Sequence, residues 1–125
     1  MSIHSSVGLG GVNVTGDVIY VQLLLNDWRS RNAVAPISVD GIAGPKTDDA
    51  IKKFQKLFTA VSDGRVDPNG PTIKKLEELH LQGILSGKFG QSIRQYPDVS
   101  LTSYDPGVVN AIYQNYLKAL RDKLN

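Results

Sequence analysis

Apolar positions recur at helical spacing in four stretches of the chain. Val18, Val21, Leu24, Leu25 and Trp28 fall on one stripe, which predicts a helix from about Asp17 to Arg31 with Thr15 as its N-cap. Asn32 to Pro36 ends it, and Ile37-Ser38-Val39 reads as an extended run into the turn signal Asp40-Gly41. A second helix starts at Pro45, because proline's preset φ suits a first helical turn and its missing N–H would be unpaired there anyway. Its stripe is Ala50, Ile51, Phe54, Leu57 and Phe58, with Asp48, Lys52, Lys53 and Lys56 mainly on other faces. Gly70-Pro71 repeats the device ahead of Ile73, Leu76 and Leu79. Asp105-Pro106 opens a fourth helix, striped by Val109, Ile112, Tyr116, Leu117 and Leu120. Gly83 to Tyr104 has no clear period and reads as a structured loop.

The pattern echoes itself. Asp40-Gly41 leads through a short loop to Gly44-Pro45 and Thr47, and Asp63-Gly64 leads likewise to Gly70-Pro71 and Thr72. Glycine at such bends supplies φ > 0, and aspartate bonds nearby backbone N–H groups. Two units make a pseudo-repeat, short of a solenoid.

At 125 residues the chain is long enough for one domain with an ordinary core. Fourteen Lys and Arg against twelve Asp and Glu leave +2, and the lysines alternate with acids, as in Lys74-Lys75-Leu76-Glu77-Glu78. That pattern describes solvated helix faces and not a nucleic-acid surface. The absence of cysteine removes disulfides and thiol chemistry. Met1 to Gly16 lacks the form of a signal peptide, and no window is apolar enough for membrane insertion. The expectation is synthesis in the cytoplasm, followed by action in the periplasm or at the cell wall after specialised secretion or lysis.

Catalytic sets are weak. His4 and His80 are the only histidines, and no metal-ligand spacing surrounds them. His80 reads as a charge near a helix C-terminus or a packed residue. Asp48-Asp49 and Glu77-Glu78 are neighbours on helices, pointing about 100° apart, and so form no focused acid/base pair. Asp40 and Asp63 sit in turns, where capping explains them. No cofactor, metal or catalytic residue is expected.

The string VDGIAGPKTDDAIKKFQ, Val39 to Gln55, resembles the signature of the peptidoglycan-binding domain family, the small three-helix module of many cell-wall hydrolases. DVIYVQLLLN, Asp17 to Asn26, resembles that family's first helix, and DGRVDPNGPTIKKL resembles the lead into its third. The resemblance covers about residues 7–80 and implies an all-α three-helix bundle with Asp-Gly turn loops, to which this chain adds a C-terminal helix. The corresponding division is a flexible leader over residues 1–15, the three-helix domain over 16–82, and a loop-plus-helix extension over 83–125 packing on it.

By the same resemblance the chain is expected to be a non-catalytic binder of peptidoglycan or muropeptides. It would anchor itself, or a linked or partner hydrolase, effector or secretion-apparatus protein, to murein. The implied groove lies beside the Asp-Gly turn, with Gln22, Asn26, Asp40, Gly41, Thr47 and Gln55 as its candidate contacts. Arg65 and Tyr96 are added, one to meet a carboxylate and the other as an amphipathic contact before Pro97. Each has a structural alternative: Thr47 caps its helix, Asp40 holds the turn, Gln22 and Gln55 bond loop backbone, Arg65 is solvated. Trp28 reads as core ahead of a sugar platform. Two other readings stay open, a protein-interaction adaptor that keeps the fold without wall affinity and, less well supported, a small wall hydrolase.

Overall fold

The computed structural model describes residues 3–85. Within them the order is β1 (Val7–Gly8), α1 (Thr15–Arg31), α2 (Pro45–Phe58), β2 (Arg65–Val66) and α3 (Pro71–Leu85). The fourth helix expected from Asp105, and Tyr96 with it, lie outside the described residues.

Helix α1 is the centre of the bundle and packs against both α2 and α3. Its burial exceeds a single stripe: Ile19, Tyr20, Gln22, Asn26 and Asp27 are enclosed along with Val18, Val21, Leu24 and Leu25. A helix covered on several sides is apolar or internally bonded nearly all round. Helix α2 offers one face, Ala50, Ile51 and Phe54, and α3 offers Ile73 and Leu76. The predicted α2 stripe stops early, since Leu57 is 63% exposed and Phe58 is also exposed. Helix α3 passes through Gly83, where the irregular stretch was expected to begin, and runs two residues further to Leu85.

Two local expectations are corrected. Thr15 is the first residue of α1, and Val14 occupies the N-cap with extended φ and ψ and no side-chain cap. Asp17, in that first turn, turns its carboxylate to the N-terminal segment instead, accepting from the backbone N–H of His4 and Ser5.

The second correction follows from the first. Residues 3–14 are not a loose leader. Ile3 and Val7 are in the core, and Val7–Gly8 pairs antiparallel with Arg65–Val66, so a two-stranded sheet joins the helices. Strands this short have little stability alone. Leu9 N–H donates to the Gly64 carbonyl (3.0 Å), and Asn13 brackets Gly8 from both sides through its side-chain amide. Gly8 has φ +111°, and a Cβ there would stand 2.1 Å from the Gly64 oxygen. Only glycine lets the segment lie so close.

Candidate functional site

Each Asp-Gly bend is held from below by a buried glutamine. Gln22, on α1 and 0% exposed, donates through Nε2 to Asp40 Oδ1 (3.0 Å), the Ile42 carbonyl (3.2 Å) and Thr47 Oγ1 (3.1 Å). Its Oε1 accepts from the N–H of Asp40 (3.1 Å) and Gly41 (2.9 Å). Asp40 Oδ1 also accepts from Ile42 N–H, closing the turn in which Gly41 has φ +74°. One amide thus ties α1 to the bend and to the first turn of α2.

Gln55 repeats this one helix later. Its Nε2 donates to Asp63 Oδ1 (3.0 Å), the Arg65 carbonyl (2.9 Å) and Thr72 Oγ1 (3.1 Å), while Oε1 accepts from Gly64 N–H (2.9 Å). The pseudo-repeat is therefore a repeat of hydrogen bonding: glutamine on one helix, Asp-Gly bend, threonine opening the next. The two bends differ above. The N-terminal segment lies on the second through Gly8, Leu9 and β1–β2 pairing, whereas no described segment lies on the first.

Over the first bend lies a groove of about 420 Å³, lined by Ser38, Asp40, Ile42, Gly44, Pro45, Lys46 and Thr47. Ile42 is 65% exposed, and Pro45 and Lys46 are exposed at the start of α2. Of the seven described residues among the eight singled out from the sequence, Asp40 and Thr47 line this groove. Gly41 is buried inside the turn. Gln22 and Gln55 are buried with both ends of their amides bonded to protein, so they shape the bends and do not face a ligand. Asn26 is also corrected: its Nδ2 donates to the Ile37 carbonyl (2.8 Å) and its Oδ1 accepts from Ile37 N–H (2.9 Å), pinning the strand-like run before the first bend. Arg65 belongs to the second bend and pairs with Asp67 (2.9 Å).

Electrostatics separates the acids around the bends. Asp63 is held below the ordinary carboxylate value by the Arg65 N–H and the Gln55 amide, both of which bond its charged form. Asp48, in the first turn of α2, is pushed up by burial, with the Lys52 ammonium acting the other way.

The sequence reading missed the seam between α1 and α3. Tyr20 donates its hydroxyl to Glu77, and Asp27 takes Arg31 Nη2 at 2.6 Å, with His80 Nδ1 2.9 Å from the same carboxylate oxygen. Arg31 also donates to the Leu79 carbonyl. Helical spacing puts Tyr20 and Asp27 on one face of α1, and Glu77 and His80 on one face of α3, the only advance signal available. At the neighbouring end Trp28 packs edge-on against Phe54 and Phe58, with centroids 5.7 Å away in each case, and Lys75 lies over the Phe58 ring. Trp28 is thus part of the packing, as read. No helix among the described residues is long and apolar enough to cross a membrane.

No curated protein and no solved structure gives a significant match to the chain. A family model does match, over residues 14–70, a stretch that begins at the cap of α1 and ends just before α3, enclosing both glutamine-held bends and the groove. The family is described as "Putative peptidoglycan binding domain", a class of binding domains, and residues 14–70 of this chain carry its signature.

Proposed function

We propose that the chain is a non-catalytic wall-binding module, which engages peptidoglycan through the groove over the Asp40–Gly41 bend and anchors itself or a linked or partner hydrolase or effector to murein. The family match supports peptidoglycan as the ligand. The observation that carries the location is the asymmetry of the pseudo-repeat: two bends share one internal construction, and among the described residues a segment covers the second while a groove lies above the first. Small-ligand sites are concave, with a few placed polar groups beside apolar surface, and Asp40, Ser38 and Lys46 beside Ile42 and Pro45 meet that description.

Sedimentation with purified sacculi tests it. The full chain should co-sediment, Ile42→Asp should reduce the bound fraction severalfold, and Leu57→Asp, on the far aromatic face, should not. Failure of the wild-type chain to sediment at modest salt would reject the reading.

One observation favours a second reading, that of a protein-interaction adaptor. Leu57, Phe58 and Val61 expose apolar surface together at the C-terminal end of α2. If that face is what the protein uses, Leu57→Asp abolishes capture of a partner and Ile42→Asp leaves it unchanged.

A further inference from the structure

The groove holds one negative and one positive side chain, and neither is neutralised by a described residue. Asp40 is fixed in place by Gln22, which uses Oδ1; Oδ2 takes no hydrogen bond or ion pair from any described residue. Lys46 has no carboxylate or hydrogen-bond partner among the described residues either, although three other cations of the bundle, Arg31, Lys53 and Arg65, are paired within 3.0 Å. Asp40 and Lys46 line the same groove and do not pair with each other.

The remaining lining narrows the ligand further. Ile42 and Pro45 are aliphatic, Ser38 and Thr47 carry hydroxyls, and no aromatic residue is among the described residues that line the groove. A pyranose ring is usually gripped by stacking on an aromatic face, which the described lining does not offer. Methylene and methyl groups suit Ile42 and Pro45, and two opposite charges suit a ligand end bearing an ammonium and a carboxylate.

Resting on the reading of this groove as the wall-binding site, we infer that it takes a zwitterionic amino-acid end of the murein stem peptide, with its ammonium at Asp40 and its carboxylate at Lys46, and not the glycan. Both contacts are charge-assisted at a partly exposed surface, so each should contribute about a three- to tenfold factor in affinity and weaken with salt.

The test titrates the ¹⁵N-labelled full chain with three synthetic stem-type tripeptides. The third residue is a diamino acid with a free side-chain ammonium and carboxylate, the same residue acetylated on the amine, or the same residue amidated on the carboxylate. The free peptide should shift the amides of Asp40, Ile42 and Lys46, and each blocked peptide should bind about three- to tenfold more weakly. In Asp40→Asn, which keeps the Oδ1 acceptor for Gln22 and Ile42, the acetylated and free peptides should bind alike. In Lys46→Gln the amidated and free peptides should bind alike. Equal binding of free and blocked peptides by the wild-type chain, or shifts produced by a murein disaccharide and not by peptides, would overturn the inference. If sacculi are still bound in that case, the wall-binding reading survives; if sacculi are not bound, both fall.

Discussion

Replacing Gln22 with alanine isolates the device on which the groove depends. The substitution deletes five hydrogen bonds at once, and their surroundings decide the cost. Gly41 is buried, so its N–H loses its acceptor without access to water, a penalty of about 1–3 kcal/mol. Asp40 and Ile42 border the groove and can be rehydrated, which holds their share to about 1 kcal/mol in total. The one buried methylene lost, Cγ, adds about 0.8 kcal/mol. The sum is about 3–5 kcal/mol, a large part of the stability of an ordinary domain. Urea unfolding followed by Trp28, the sole tryptophan, measures it, and exchange of the Gly41 amide should accelerate in parallel. Gln22→Glu sharpens the argument. The isosteric carboxylate keeps an acceptor for Gly41 but opposes Asp40 Oδ1 and the Ile42 carbonyl, both within 3.2 Å of the present Nε2. Burial beside like charge raises the pKa of such a carboxyl in the folded state. The variant should therefore be nearest to wild type at acid pH and lose stability as pH rises through that raised value. A cost below about 1 kcal/mol for the alanine variant, or a glutamate variant as stable as wild type at neutral pH, would refute the reasoning.

Further outcomes follow from other positions. Gly8→Ala should cost about 3 kcal/mol or more, because a positive φ and a backbone carbonyl 2.1 Å from the new Cβ must both be relieved; thermal unfolding and loss of slow exchange at Leu9 would report it. Ala33→Gly should stabilise by about 1 kcal/mol, since Ala33 is an exposed residue held at φ +57°, measured by urea midpoint at unchanged m-value. Carboxyl NMR titration should place Asp63 below 3.8 and Asp48 above it. For Asp63 the sign is that of a depressed acid: its contribution to stability is present above the ordinary value and is lost as pH falls through the folded one. Asp63→Asn should accordingly flatten that part of the acid limb.

Helices that open with Gly-Pro and carry an apolar stripe could be read from local order, and so could both Asp-Gly bends, because their determinants lie within a few residues. The role of Gln22 and Gln55 was only half legible. Polar residues on an otherwise apolar helix signal either a ligand contact or an internal clasp, and deciding between them requires knowing that the bends return over the same face, 18 and 8 residues away. Strand β1 was not legible at all. Ile3 and Val7 stand alone among serines and glycines, and their partner strand is almost 60 residues downstream. The Tyr20–Glu77 pair is as remote, separated by 57 residues, and acids on amphipathic helices ordinarily mark solvent. A groove does lie over the first bend, but Ser38, Ile42, Pro45 and Lys46 in its lining, from the loop and the first turn of α2, stand out by exposure, a property periodicity does not report.

The two bends reach their threonines by different routes: seven positions separate Asp40 from Thr47, and nine separate Asp63 from Thr72. The same amide socket accepts both lengths. Architecture and specificity are thereby uncoupled, since insertions or exchanges between the aspartate and the helix start alter the lip of the groove while the anchor beneath stays put. A module made this way can change what its groove prefers by editing a handful of surface positions, with its interior untouched.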